Sequence, residues 1–283
     1  MKYSEIPLTF SVGEQQLLGI AAVPETPADR GVLIAVGGPQ YRVGSHRQFL
    51  LLARRLAAAG YPVFRFDYRG MGDSEGPLRS FENVSEDIGA AIDAFQRSCP
   101  AIRHVVLWGL CDAASSLLMY CETARDARVD GLVLLNPWVR SEASLAQTHM
   151  KHYYGQRLLQ REFWVKLLSG KMRVIHSVRE LLSNAVLARQ GSSSQSAKIA
   201  PFQERMANGL KSFRGKVLLI LSGEDYTARE FIEYTSSQES WKGLIDSANV
   251  SRCDIPGADH TFSSAEWRAR VEDETLKWLE HQA

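Results

Sequence analysis

Short apolar runs at a regular spacing constrain this chain more than any other feature. Val32-Leu33-Ile34-Ala35-Val36, Val63-Phe64-Arg65-Phe66, Val105-Val106-Leu107-Trp108, Leu132-Val133-Leu134-Leu135 and Val217-Leu218-Leu219-Ile220-Leu221 have strand length and little polar alternation. Helical patterns lie between them. From about Ser45 to Ala59, residues Phe49, Leu52, Leu56 and Ala59 share one face, and Gly60 stops the helix. Ser80 to Gln96 reads as a second helix, and a third starts at Asp112. Strands buried on both faces and alternating with helices call for a mostly parallel sheet flanked by helices. Ile6–Val12 and Leu17–Val23 read as strands around a Gly13-Glu14 turn. Val250–Ile255 reads as the last strand, and Ser263 to Glu266 as an S-x-x-E capping box opening the final helix.

The rhythm breaks once. From Trp138 to about Ser212 there is helical patterning, such as Leu159, Phe163, Trp164 and Leu167, but no strand run. We expect an α/β core over 1–137 and 213–283, with a helical cap inserted at 138–212. Between 138 and 190 nine basic residues face three acidic ones, while the whole chain carries only +1. That balance gives no basis for nucleic-acid binding by the whole chain. A solvated helical face explains the basic cap, and attraction of an anionic or carrier-linked substrate is the functional alternative. Met1–Ile20 lacks a signal pattern, and no apolar run reaches membrane-spanning length. Cys99, Cys111, Cys121 and Cys253 are scattered, with no C-x-x-C pair. We therefore expect a cytoplasmic protein without metal or cofactor.

Gly109-Leu110-Cys111-Asp112-Ala113 sits between a strand run and a helix. This is the position and spacing of the G-x-S-x-G nucleophile turn, with Cys for Ser and Ala for the second Gly. The turn needs small residues two before and two after the nucleophile. Gly109 and Ala113 meet that need for Cys111, whereas Asp112 as nucleophile would put Leu110 at one of those places. A thiol at a helix N-terminus beside a protonated His is more readily ionised, and the thiolate attacks without losing a proton in the same step. The other three cysteines read as structural.

The partners should follow in the order nucleophile, acid, His. Asp225 stands just past the Val217–Leu221 run, placed to orient a base; it is also a good helix cap, and Glu224 is the fallback acid. His260, in Gly257-Ala258-Asp259-His260-Thr261-Phe262, has the right chain order and loop setting. Asp259 reads as a loop residue. Two main-chain N–H groups should hold the developing oxyanion, one from Asp112 and one from Gly38, since Pro39 has none. Gln40 could add a side-chain donor, and Tyr153 and Trp164 could line a substrate pocket or simply pack the cap.

These residues resemble an α/β-hydrolase over nearly the whole chain. Asp67-Tyr68-Arg69-Gly70-Met71-Gly72-Asp73-Ser74 resembles the D-x-R-G-x-G-x-S loop of the serine-aminopeptidase and lysophospholipase-like branch, where it is structural. Cys in the turn is similar to the G-x-C-x-G of dienelactone hydrolase. Gly37-Gly38-Pro39-Gln40-Tyr41-Arg42-Val43-Gly44-Ser45-His46, with Gly109–Ala113, most resembles a hydrolase family found with exosortase in exopolysaccharide and PEP-CTERM loci of Gram-negative bacteria. The resemblance implies the α/β-hydrolase fold and a Cys111–His260–Asp225 triad.

Sulfur at Cys111 narrows the chemistry. An acyl thioester forms only if the tetrahedral intermediate expels the substrate's leaving group rather than the thiolate. A thiol of pKa about 8.5 leaves far more easily than an alkoxide. Thioesters and aryl or enol esters are therefore the expected substrates. The expected activity is ester or thioester hydrolysis; the alternatives are acyl transfer to a sugar or alcohol, or a binding protein that keeps the fold without catalysis.

Overall fold

The computed structural model describes residues 1–38, 40–140 and 200–282. The chain divides into two compact units, Met1–Val139 with Pro201–Ala283, and Arg140–Ala200. Nearly all of the second falls outside the described residues.

An eight-stranded sheet forms the core. Strands β1 (Tyr3–Val12), β2 (Gln15–Pro24), β3 (Arg30–Ala35), β4 (Val63–Phe66), β5 (His104–Leu110), β6 (Val129–Leu135), β7 (Lys216–Ser222) and β8 (Val250–Ile255) are ordered β1-β2-β4-β3-β5-β6-β7-β8. β1 and β2 form an antiparallel hairpin, and β2 joins β4 antiparallel. From β4 to β8 every pairing is parallel. Six helices are described: α1 (Gln48–Ala58), α2 (Ser85–Ser98), α3 (Asp112–Ala124), α4 (Phe202–Ser212), α5 (Tyr226–Ser237) and α6 (Ala265–Glu280).

The uniformly apolar runs are explained by burial on both faces. In β5, Val105 and Leu107 enter one core with α2, α3, α4 and α5. Val106, Trp108 and Leu110 enter the other, with Phe49, Leu52 and Leu56 of α1 and Val271, Trp278 and Leu279 of α6. Each such side chain contributes on the order of 1.5–3 kcal/mol by leaving water. The parallel strands end at one edge, and the connections beyond that edge carry the residues singled out above.

Three expectations need adjusting. The first helix begins at Gln48, because Ser45–Arg47 forms a 3₁₀ turn with His46 and Arg47 at positive φ. The cap of α6 is Ser264, whose hydroxyl accepts from the Trp267 N–H. Ser263, one residue earlier, donates its hydroxyl to Asp259 and so is not free to cap. Finally, α4 lies in the main unit, which resumes at Pro201, and packs on α3.

Candidate active site

β5 ends at Leu110 and α3 begins at Asp112, so Cys111 alone turns the chain. Its φ of 62° and ψ of −126° lie where non-glycine residues are strained, at a cost of about 1–3 kcal/mol. Neighbours hold it there. Its N–H donates to the Leu135 carbonyl on β6 at 2.9 Å, and its carbonyl accepts from Ser115 and Trp138 N–H groups at 3.3 Å each. A Cβ on Gly109 would come within 2.9 Å of Leu117 and 3.0 Å of the Ala113 main chain, which explains the small residue two before Cys111.

Past β7, the Asp225 carboxylate caps α5 by accepting from the Thr227 and Ala228 N–H groups, each at 3.1 Å. Its Oδ2 also lies 2.8 Å from His260 Nδ1. Capping and orienting are therefore one job rather than two competing ones: the helix fixes the carboxylate, and the carboxylate fixes the ring. Burial opposes ionisation of Asp225, but the bonds from His260, Thr227 and Ala228 outweigh it and hold the carboxyl below its usual range. The bond to Asp225, then the nearby Cys111 thiol, push the His260 imidazole up to about 10 against the opposing effect of burial. Glu224 is not part of this cluster; it pairs at the surface with Arg229 at 2.9 Å.

Sequence reasoning missed the residue that pins the His260 loop. Asn136, fully buried at the end of β6, donates from Nδ2 to Ser222 Oγ at 2.7 Å and to the His260 carbonyl at 3.1 Å. Its Oδ1 accepts from the Ser222 N–H at 2.9 Å, and Ser222 Oγ donates to the Asp259 carbonyl. The available signal was a polar residue closing an apolar strand just before Pro137. Asp259 ties its own loop, accepting from Thr261 and Ser263 N–H groups.

The expected oxyanion donors are engaged by a side chain. Gly38 N–H donates to Asp112 Oδ1 at 2.7 Å. The N–H groups of Ala113 and of Asp112 itself lie close enough to that carboxylate to favour its charge. Burial raises the Asp112 pKa, and these N–H groups, with His260 nearby, act against the rise. Gly37 lets the loop come this close: a Cβ there would sit 2.4 Å from the Leu110 carbonyl oxygen and 2.5 Å from Asp112 Oδ1. Gln40 closes the same loop by accepting from the Ser45 N–H at 2.9 Å. Arg42 anchors the loop on the buried Asp67 carboxylate through its guanidinium and its N–H. Asp67 also takes the Asp73 N–H, and Gly72, at φ 54°, leaves room for the carboxylate. The D-x-R-G-x-G-x-S loop thus anchors the Gly37–His46 loop through Asp67. Tyr153 and Trp164 lie outside the described residues.

The family model described as serine aminopeptidase, S33, matches residues 29–263. The chain belongs to that family. It is an α/β-hydrolase, with cysteine in the turn where the family description names serine. Among solved structures, an esterase of Pyrococcus furiosus is 16% identical with a TM-score of 0.63, the alignment covering 99% of this chain and 92% of that one. Dienelactone hydrolase from Anabaena variabilis is 15% identical with a TM-score of 0.63, covering 99% of each. Est1E from Butyrivibrio proteoclasticus, solved with ferulic acid, is 12% identical with a TM-score of 0.62, covering 97% of this chain and 98% of that one. At these identities the likeness shows the fold alone. No curated protein matches the chain. No helix among the described residues is long and apolar enough to cross a membrane.

Proposed function

We propose that this S33-family member hydrolyses thioesters and activated esters through Cys111, with His260 as acid and base and Asp225 orienting the imidazole. The observation that carries the reading is His260, bonded to Asp225 at 2.8 Å through Nδ1, with the Cys111 thiol near enough to act on the same ring. His260 takes the thiol proton, which leaves an imidazolium beside the attacking thiolate.

The thiolate attacks the acyl carbon and the carbonyl π pair moves onto oxygen. Gly38 and Asp112 N–H groups receive that oxyanion once the Asp112 carboxylate gives up its bond to Gly38. The oxyanion collapses, the bond to the leaving group breaks, and the imidazolium gives its proton to the departing sulfur or oxygen. Water then attacks the acyl thioester while neutral His260 takes its proton. The second collapse releases the carboxylic acid and regenerates the imidazolium–thiolate pair.

Leaving-group chemistry sets the substrate class, since a thiolate is expelled in preference to an alkoxide. The likeness of Gly37–His46 and Gly109–Ala113 to the exosortase-associated hydrolases supports a place in exopolysaccharide metabolism. The test compares an acyl thioester, an aryl ester and a matched alkyl ester on wild type, Cys111→Ala and His260→Ala. The expected order is thioester and aryl ester well above alkyl ester, with both variants reduced at least a hundredfold. A preference for the alkyl ester, or an active Cys111→Ala protein, overturns the reading.

A further inference from the structure

Beside the oxyanion hole lies a cavity of about 290 Å³ bordered by Gly38 and lined by Val36, Tyr68, Met71, Leu78, Phe81 and Asp112. Neither Cys111, Asp225 nor His260 lines it. That placement assigns its role. At an acyl carbon held between the Cys111 sulfur and the oxyanion donors, the leaving group must face His260 to receive its proton. The acyl chain therefore points the other way, towards the oxyanion side, where this cavity lies.

Arg79 and Ser80 add exposed polar groups to its wall, and two further polar groups sit deeper, on Tyr68 and Asp112. Tyr68 is 3% exposed, and its buried hydroxyl has no hydrogen-bond partner among the described residues. Burial, then the Asp112 and Asp87 carboxylates, push the phenol well above its usual pKa, so it stays a donor with nothing to receive it. Asp112 supplies a partly buried carboxylate held by the Gly38 N–H. At the mouth, Leu78 is 73% exposed, a large apolar side chain in water at the lip of a cavity.

We propose that this cavity is the acyl subsite and that it selects a short hydroxyacyl group, with the hydroxyl on C2 or C3. The inference rests on the Cys111 reading for the direction of the acyl chain. The substrate hydroxyl accepts from the Tyr68 O–H and donates to the Asp112 carboxylate. When the acyl oxygen takes the Gly38 N–H, Asp112 loses that donor, which is costly for a partly buried carboxylate. The substrate's hydroxyl replaces the lost bond. An acyl chain without it leaves the Tyr68 hydroxyl unpaired and the Asp112 carboxylate one donor short, and sites built around a substrate hydroxyl reject the analogue lacking it strongly.

The test uses the p-nitrophenyl esters of butyrate, 2-hydroxybutyrate and 3-hydroxybutyrate. At least one hydroxy ester should exceed butyrate by about tenfold or more in kcat/KM, as expected for one hydrogen bond to a charged group. Tyr68→Phe should bring that ratio towards one. A second readout needs no turnover: the matching free hydroxybutyrate should slow iodoacetamide alkylation of Cys111, followed by peptide mass, more than butyrate does. Leu78→Trp, at an exposed position, should weaken that protection. Equal kcat/KM for all three esters, with hydrolysis still dependent on Cys111, overturns the subsite and leaves the cysteine mechanism standing. Hydroxybutyrate protection lost in Tyr68→Phe, without Cys111-dependent hydrolysis, keeps the subsite and removes the mechanism. Absence of both preference and protection overturns the subsite.

Discussion

Gly38 and Asp112 stand 74 residues apart, yet the N–H of the first donates to the carboxylate of the second at 2.7 Å. In the proposed mechanism the resting site therefore fills its own oxyanion hole. A substrate carbonyl has to compete with a carboxylate, which is the stronger acceptor. Asp112→Asn keeps the shape and removes the charge. It should raise kcat/KM for a plain acyl substrate such as p-nitrophenyl acetate by about three- to tenfold, given the modest net strength of one exchanged hydrogen bond. Steady-state kinetics checks this, and a variant slower than wild type would mean the carboxylate helps rather than obstructs.

Cys111 sits at φ 62° and ψ −126°, a conformation that glycine adopts without strain. Cys111→Gly should be inactive yet more stable. Relief of about 1–3 kcal/mol of strain exceeds the entropy penalty of about 0.5–1 kcal/mol for glycine. The melting temperature should rise by about 2–4 °C for each kcal/mol gained. A lower melting temperature would place the strain elsewhere.

The imidazole of His260 is raised to about 10, first by Asp225 and then by Cys111, from an ordinary value near 6.5. A raised folded pKa means that the native state holds the proton more tightly than the unfolded chain. The stabilisation is full below about pH 6.5 and is lost as pH climbs through about 10. The melting-temperature difference between wild type and His260→Gln should thus be largest near pH 6 and shrink towards pH 10. A difference that grows with pH contradicts the sign.

Asn136 ties Ser222 to the His260 loop through one buried amide, donating to Ser222 Oγ and the His260 carbonyl and accepting from the Ser222 N–H. Asn136→Ala leaves the Ser222 N–H without its acceptor in the core, which should cost about 1–3 kcal/mol. Because the residue positions the base and not the substrate, kcat should fall by about ten- to a hundredfold with KM little changed. Denaturant unfolding and steady-state kinetics measure the two effects. A pure rise in KM would remove the positioning role.

Much of this protein was determined by the sequence alone, wherever the governing physics is local. Two-sided burial makes a strand such as Val105–Trp108 apolar throughout, and the crowding of a tight turn demands Gly109 and Ala113 around Cys111. The tertiary structure decided what depends on contacts between distant segments. Only the packed loops bring the Asp112 carboxylate onto the Gly38 N–H, and only the sheet end brings Asn136 beneath His260. Ser264 rather than Ser263 caps the last helix because Asp259 claims the earlier hydroxyl, a choice made when the His260 loop closes. Residue type announces that a group can accept a hydrogen bond; which donor reaches it is settled by the path of the folded chain.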